Sequence, residues 1–375
     1  MLGHAVEVIA PYDAAVDGAG DEICVRRFRY APVKAWHIMG HARSLHGDTR
    51  LRLGALLLLP FFLLSYFCVA VKSVRRAHPD IIYAHWVLPS GFVGSVIGYL
   101  FRIPLAVSLH GSDVFVALKT RAFGRVAGMV LRRAAVVTAC SEGLRQGALD
   151  LGADPAVTHL VTWGADPARF SPETPPLTRA DFGLGRDDVV ILSLGRLVPK
   201  KGFDVLIRAL PMLLERCPSA HVVIGGGGTE SENLQQLAAT LDVSERVHLP
   251  GHISWDDVPS FLAMGDVFVL PSVRDLAGNI DGLPTVLLEA MASGKAVVAT
   301  KIAGVPLVLE DGVNGLLFAA GDPAALVEAV AKVTSDDALR TQIERRARLS
   351  VETQHNWLAV AERLSSLFSG VAGLN

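Results

Sequence analysis

The chain has 375 residues and a formal net charge of -2 at pH 7. This length is too great for one ordinary domain and sufficient for two lobes that each bury a core. The near-neutral charge argues against nucleic acid as the main partner and favours a small molecule. Only 19% of the residues are charged while 51% are hydrophobic. Typical soluble domains carry more charge, so we expect some apolar surface that contacts a membrane.

The four cysteines (Cys24, Cys68, Cys140 and Cys217) are scattered and show neither C-x-x-C nor zinc-ligand spacing. We expect them to be reduced and mostly buried thiols. The N-terminal segment lacks the basic and apolar regions of a secretory signal. We therefore expect a cytoplasmic protein, with peripheral attachment to the inner face of the cell membrane if it contacts lipid.

Short β-branched runs alternate with longer helical patterns along almost the whole chain, which is typical of βαβ units. Continuously apolar strands predict parallel sheets covered by helices on both faces, and right-handed crossovers then give doubly wound layers. The predicted fold class is α/β, with two Rossmann-like lobes. The predicted strands cover residues 6–10, 81–84, 105–109, 135–139, 189–194, 221–225, 267–271 and 296–300.

Pro, Thr and Asp residues collect between positions 166 and 188, where two periodic regions meet. We predict an N-terminal lobe over 1–167, a linker over 168–180 and a C-terminal lobe over 181–355. The remaining segment, 356–375, contains an amphipathic helix that we expect to cross back to the first lobe.

Residues 53–71 form an uncharged segment of 19 residues, long enough for a membrane-spanning helix. Positive charge flanks both ends and so specifies no orientation across a bilayer. Three interpretations remain open: a helix buried against its own lobe, a helix lying in the interface of an anionic membrane, and a span. Pro60 is expected to kink the helix or divide it. The flanking cations are Arg50, Arg52, Lys72, Arg75 and Arg76.

The segment after the fifth predicted strand places Gly195 at a strand end and two cations, Arg196 and Lys201, in the following turn. A strand end that faces a helix N-terminus and carries two cations suits a pyrophosphate group. Arginine can bind two phosphate oxygens, while lysine acts as a point charge. A solvated basic loop is the alternative interpretation of this element taken alone.

The next predicted strand ends in a run of glycines that includes Gly226 and Gly227. Glycine permits close backbone approach, as a phosphate-binding turn requires. The run does not match G-x-G-x-x-G, and a flexible strand-to-helix turn is the alternative.

Two carboxylates, Asp281 and Glu289, flank Gly282, Leu283 and Pro284 near the start of a helix. Proline suits the first helical turn, so the backbone amides before it point at an anion. Glu289 lies in an apolar run, where a carboxylate requires hydrogen-bond donors such as ribose hydroxyls. The alternative is an exposed Glu on the outer face of the helix.

In the first lobe, a predicted strand ending at residue 109 is followed by His110, Gly111, Ser112 and Asp113. Ligands bind beyond the carboxyl ends of strands in open α/β sheets. A single histidine is usually structural, but this position makes a functional role equally reasonable.

Taken together, these four motifs resemble the retaining family 4 glycosyltransferases of GT-B fold, in which two lobes face a central cleft. The resemblance covers nearly the whole chain and implies sugar transfer from a nucleotide-diphosphate sugar to a glycan or lipid-linked acceptor. It implies that Arg196 and Lys201 contact the diphosphate and that Glu289 binds the ribose. It also implies that Asp281 and His110 lie near the transferred sugar.

The chain departs from the family pattern at two places. Family members normally carry Glu-x7-Glu, so the shorter Asp281 alters the hydroxyls that can be reached. They also normally open with a strand, a Gly-Gly turn and a helix, whereas this chain begins at Gly3-His4. We expect about one βα unit to be absent and the first lobe to be less stable than the second.

No Asp-x-Asp stands at a strand end, so no bound metal is expected, and no cofactor beyond the nucleotide sugar. Arg196, Lys201 and helix N-terminal amides would offset the leaving-group charge. The alternatives are a nucleotide-sugar epimerase or phosphorylase on a similar fold, and a catalytically weak membrane-assembly subunit.

Overall fold

The computed structural model describes residues 2–13, 23–39, 45–46, 50–51 and 53–373 of the chain. Backbone contacts divide it into two units. The first comprises Met1–Val161 with Glu362–Asn375, and the second comprises Thr162–Ala361. Each unit contains its own parallel sheet, so the α/β architecture expected from the alternating pattern is present in both.

The first unit has a four-stranded parallel sheet of order β5-β6-β7-β8. A separate parallel pair, β1 and β2, precedes it, and β3 and β4 form a short antiparallel pair. The strands are β1 (Glu7–Pro11), β2 (Cys24–Phe28), β3 (Leu45–His46), β4 (Arg50–Leu51), β5 (Ile82–His85), β6 (Leu105–Leu109), β7 (Val136–Ala139) and β8 (Thr158–Leu160).

Every residue of β6 and β7 is buried, as expected for central strands of a sheet with both faces covered. The last helix of the chain, α12 (Trp357–Ala372), starts among residues of the second unit and continues into residues assigned to the first. The other helices of the first unit are α1 (Leu53–Ala77), α2 (Phe92–Phe101), α3 (Ser112–Lys119), α4 (Arg121–Arg133) and α5 (Glu142–Asp150).

Helix α1 contributes to two hydrophobic clusters of the first unit. Its first half packs Ala55 and Phe62 against Phe28 of β2, while its second half packs Ala70 and Val74 against α2. The helix continues through Pro60, so the proline does not divide it in two. The helix is long and apolar enough to cross a membrane, and only 17% of its most apolar stretch is buried within the protein.

The second unit has a six-stranded parallel sheet of order β11-β10-β9-β12-β13-β14. The chain builds outward from β9 in one direction and then returns to place β12 on the other side of it. This change of direction creates a crevice at the carboxyl ends of β9 and β12, where ligands bind in such sheets. The strands are β9 (Val189–Leu194), β10 (Ala220–Gly225), β11 (Val247–Gly251), β12 (Val267–Leu270), β13 (Ala296–Thr300) and β14 (Leu316–Phe318).

One face of this sheet packs against α6, α7 and α10 in a single large hydrophobic cluster. The central strands β10, β12 and β13 are buried on both faces, which explains why their sequences are mostly apolar. The helices are α6 (Phe203–Arg216), α7 (Ser231–Thr240), α8 (Val258–Met264), α9 (Thr285–Ala292), α10 (Pro323–Ser335) and α11 (Asp337–Thr353).

The residues just before the predicted linker 168–180 and its first residues pack within the second unit. Ala165 donates its N–H to the His355 carbonyl at 2.9 Å, and Phe170 is buried. Arg348 donates to the Phe170 carbonyl at 2.5 Å. These contacts attach residues 162–170 to the end of α11, so the contact boundary falls before the Pro-rich stretch.

Two of the four cysteines do not match the expectation of burial. Cys24 and Cys68 are exposed, whereas Cys140 is buried. Cys24 is the exposed first residue of β2, whose burial increases toward Phe28, and Cys68 lies on the outer side of α1. A cysteine in an amphipathic element is buried only when it falls on the inner face.

Candidate active site

The loops that follow β9, β10 and β12 meet at the crevice in the second unit. Gly195 donates its N–H to the Gly225 carbonyl at 3.0 Å, and Leu197 donates to the Gly227 carbonyl at 2.9 Å. Val273 donates to the Lys200 carbonyl at 2.9 Å, which ties the β12 loop to the β9 loop. Three stretches that are distant in sequence are therefore held together by their backbones before any ligand arrives.

Two glycines make this close packing possible. A Cβ on Gly226, whose φ is +133°, would lie 1.9 Å from the Gly195 carbonyl oxygen. A Cβ on Gly202, whose φ is +65°, would lie 2.0 Å from the Pro271 carbonyl oxygen. Gly227, by contrast, is exposed and has open space around it. The glycine run thus serves the protein's own backbone at Gly226 and leaves a small, accessible position at Gly227.

A compact ionic cluster lies where the β9 and β12 loops meet. Lys201 Nζ is 2.7 Å from Asp281 Oδ2, and Lys200 Nζ is 2.9 Å from Asp281 Oδ1. All three side chains are largely buried. Burial alone would raise the pKa of Asp281, but the two ammonium groups outweigh burial and hold it below its ordinary value. The carboxylate is therefore ionised at neutral pH and neutralises part of the positive charge.

The predicted cations occupy different surroundings. Arg196 lies exposed on the loop after β9, whereas Lys201 is drawn inward by Asp281. Lys200 was not singled out from the sequence, although it belongs to the same cluster. The doubled lysine before Gly202 is the only sequence feature that could have indicated it.

Glu289 lies in the second turn of α9 and is buried, with 8% of its surface exposed. Burial raises its pKa to about 7, against the opposing effects of a hydrogen bond from Thr285 and the charge of Arg169. The alternative of an exposed outward-facing Glu is therefore wrong. A buried carboxyl with a raised pKa is a frequent mark of a ligand site.

The approach to Glu289 is shaped by Gly282, Leu283 and Pro284. Pro284 is the residue just before the first turn of α9, one position earlier than expected. The Gly282 carbonyl accepts a hydrogen bond from Gly304 at 2.7 Å, which fixes the loop against the β13 side of the sheet. The amides at the start of α9 carry the positive end of its helix dipole.

Arg169 is a charged neighbour of Glu289 that sequence reasoning missed. Its guanidinium lies 4.6 Å from the ring centre of Trp255 and donates to the Trp255 carbonyl at 2.6 Å. Stacking and hydrogen bonding hold the cation in place, so it favours the ionised form of Glu289. Arg169 and Glu289 are far apart in the sequence, so no local sequence pattern could indicate that they are neighbours.

In the first unit, His110 immediately follows β6, and Gly111, with φ of +119°, turns the chain into α3 at Ser112. Asp113 does not face outward. Its buried carboxylate accepts N–H groups of His110 at 3.1 Å, Gly111 at 2.9 Å and Val87 at 2.9 Å. Asp113 therefore holds the loop that presents His110. Burial raises the pKa of Asp113 even though these backbone groups favour its charged form.

His110 has a histidine neighbour that the motif does not contain. His85, the last residue of β5, places Nδ1 3.0 Å from His110 Nε2. Burial lowers the pKa of each ring to about 4, so both are neutral at pH 7. Across the described part of the chain, no group of three or more His, Cys, Asp or Glu side chains is arranged to hold a metal ion.

Comparison with known proteins assigns both units to one family. Residues 176–350 match the glycosyl transferases group 1 family, and residues 1–164 match a glycosyl transferase 4-like domain. The chain is 36% identical over 280 residues to a GDP-mannose-dependent alpha-(1-6)-phosphatidylinositol monomannoside mannosyltransferase of Mycolicibacterium smegmatis, covering 71% of this chain and 70% of that protein. A Mycobacterium tuberculosis protein of the same description is 33% identical over 272 residues, covering 70% and 69%.

Solved structures show the same fold at lower identity. Sucrose-phosphate synthase from Thermosynechococcus elongatus has a TM-score of 0.78 against this chain with 20% identity, and the match covers 100% of this chain and 90% of that one. Anabaena Alr3699/HepE in complex with UDP has a TM-score of 0.73 with 22% identity, covering 93% and 87%.

The fold and the comparisons define a nucleotide-sugar-dependent glycosyltransferase of GT-B fold. The chain belongs to the family 4 glycosyltransferases, which transfer sugar with retention of anomeric configuration. Membership in this family confirms the resemblance read from the motifs and sets aside the epimerase and phosphorylase alternatives.

Proposed function

We propose that the enzyme transfers mannose from GDP-mannose to a phosphatidylinositol-based glycolipid at an anionic membrane surface. The identity of 36% over 280 residues with a mannosyltransferase of that donor and acceptor class carries this proposal. The outer face of α1 supports the membrane part of it.

In this proposal the second unit binds the donor. Arg196 and Lys201 contact the diphosphate, and Glu289 accepts the ribose hydroxyls. Gly195, Gly226 and Gly227 line the phosphate side, while Gly282, Leu283 and Pro284 bring the amides before α9 to the diphosphate. The charge of the departing nucleotide grows in the transition state, where these fixed cations and amides stabilise it most.

Two further residues are assigned to the sugar in the same proposal. Asp281 forms an ion pair with Lys201 and is assigned to contact the donor sugar. His110, with Gly111 and Ser112 of the same loop, contacts the transferred sugar or the acceptor. Asp113 acts on this side only through the loop, because its carboxylate is occupied by backbone N–H groups.

Residues 53–71 supply the membrane contact. Leu57, Phe61 and Leu64 are 71%, 62% and 64% exposed. Their spacing places them on one face of α1, and Arg75 continues the same stripe. The opposite face packs into both clusters of the first unit. A helix with one face in a protein core and the other apolar fits an interfacial position better than a span. Arg52 and the side chain of Arg50 lie outside the described residues.

The donor and acceptor are tested by incubating the enzyme with GDP-mannose or UDP-glucose and phosphatidylinositol monomannoside, and by analysing the lipid products by mass spectrometry. We expect a mannosylated product with GDP-mannose. Product formed only from UDP-glucose would overturn the donor assignment, and nucleotide release without any lipid product would overturn the acceptor assignment.

The membrane contact is tested by cosedimentation with phosphatidylinositol-containing and phosphatidylcholine vesicles. We expect binding to the anionic vesicles, partly released by salt because charge and apolar burial act together. Combined substitution of Leu57, Phe61 and Leu64 by Ser should abolish the salt-resistant part. Leu276→Ser, at an exposed leucine of the second unit, is the matched control. A parent protein that never binds these vesicles would show that α1 serves the fold alone.

A further inference from the structure

Two histidines meet at the carboxyl edge of the first unit's sheet. His85 ends β5 and His110 follows β6, and these strands are neighbours with His85 opposite Ser108. The separation of 3.0 Å between His85 Nδ1 and His110 Nε2 is a hydrogen-bond distance. The family motif accounts for His110 only, so the function described above does not use His85.

A hydrogen bond between two neutral imidazoles requires opposite roles for the two nitrogens. If His85 Nδ1 carries the proton, His110 Nε2 accepts and the proton of His110 is on Nδ1. If His110 Nε2 carries it, His85 Nδ1 accepts and the proton of His85 is on Nε2. Either way, the tautomers of the two rings are coupled and neither ring can turn without losing the bond.

The surroundings hold both rings in this arrangement. The Tyr83 ring centre lies 4.6 Å from that of His85, and the Trp86 ring lies 6.2 Å from that of His110. Trp86 has a φ of +76°, a strained conformation for a non-glycine residue that is concentrated at functional sites. Asp113 fixes the backbone of His110 from the other side.

We propose that His85 is a positioning residue for the transfer reaction, because its hydrogen bond fixes the ring orientation of His110 and couples the tautomer of His110 to its own. This inference rests on the proposed contact between His110 and the transferred sugar. The lowered pKa values of both rings are consistent with it, since a neutral pair is what the coupled hydrogen bond requires. His110 thus meets the sugar as a neutral ring in one orientation, with no reorganisation needed during the reaction.

Three substitutions of His85 separate a positioning role from a merely structural one. The amide of Asn stands near the place of Nδ1, whereas that of Gln reaches the place of Nε2, and Phe keeps the ring without a hydrogen bond. We expect His85→Phe and His85→Gln to lower kcat about tenfold, with KM for GDP-mannose changed less than twofold. His85→Asn should stay within about threefold of the parent. The melting temperatures of all three identify any variant that fails to fold.

A measurement on the free parent protein needs no donor and no variant. Nitrogen-15 NMR of the histidine rings should show a coupling between His85 Nδ1 and His110 Nε2 across the hydrogen bond, and single-tautomer shifts for His110 at pH 7. His85→Phe should remove the coupling and give mixed-tautomer shifts.

The outcomes distinguish the positioning role of His85 from the proposed role of His110 on which it rests. Full activity of His110→Ala would overturn the proposed role of His110 and the positioning role of His85 with it. An inactive His110→Ala beside a fully active His85→Phe would overturn the role of His85 alone. Absence of the nitrogen coupling in the parent protein would likewise overturn it, whatever the kinetics.

Discussion

Glu289 is expected to oppose folding while it promotes donor binding. Its pKa is raised from 4.5 to about 7 in the folded protein. Between these values the unfolded chain has lost the proton that the folded chain keeps, so the free energy of unfolding falls as the pH rises. Each pKa unit corresponds to about 1.4 kcal/mol, so the full shift amounts to about 3 kcal/mol. The penalty is absent below pH 4.5 and complete above pH 7.

Glu289→Gln cannot ionise and should therefore escape this penalty. We expect the stability advantage of the variant to grow by about 2–3 kcal/mol between pH 5 and pH 8. Calorimetric unfolding of the second unit at several pH values measures it, with the exposed Glu245→Gln as the matched control. The same Glu289→Gln variant should bind GDP more weakly, on the order of 1–3 kcal/mol, because hydrogen bonds to a charged acceptor are lost.

The two halves of this prediction can fail separately. A stability difference that does not change with pH would show that the carboxyl is not held protonated by burial. Unchanged GDP affinity in the folded variant would show that Glu289 does not bind the nucleotide, although its pKa could still be raised.

Two further variants test the crevice of the second unit. Asp281→Asn removes the negative charge that neutralises two lysines. We therefore expect calorimetry to show several-fold tighter binding of GDP, while sugar transfer slows. Weaker GDP binding would contradict the role given to the ionic cluster. Gly202→Ala places a Cβ against the Pro271 carbonyl at a positive φ, so the second unit should lose about 2–4 kcal/mol of stability in urea unfolding. Gly227→Ala is its control, and equal stabilities of the two variants would contradict the close packing of the loops.

The strands that were predictable from the sequence are those buried on both faces. β6, β9 and β13 were expected with the observed bounds because their runs are mostly apolar, with a single hydroxyl side chain in each. The strands β2, β8, β11 and β14 were missed, as were the two-residue strands β3 and β4. β2 contains two adjacent arginines and, within the described part of the chain, pairs with β1 alone, and β14 has three residues at the edge of its sheet. Strands of this kind are very short, lie at a sheet edge or contain polar residues, so their sequences show no long apolar run.

The candidate site divides in a similar way. His110, Lys201 and Glu289 could be proposed because each follows a strand or begins a helix in a recognisable local pattern. Their neighbours could not, since Arg169 reaches Glu289 and His85 reaches His110 from other elements of the fold. Local patterns identify candidate site residues, whereas the side chains that surround them depend on tertiary packing.

Helix α1 both packs into the core of the first unit and presents apolar side chains on its outer face, and this links membrane binding to the stability of the unit. Its inner face belongs to two clusters, so the outward stripe of Leu57, Phe61 and Leu64 exists as a surface only while the unit is folded. A lipid surface that binds this stripe and not the unfolded chain must stabilise the unit by linkage. Lipid at 100 times its dissociation constant would add about 2.7 kcal/mol. The bilayer would then act as a conditional part of the fold, and detachment would leave the first unit easier to unfold.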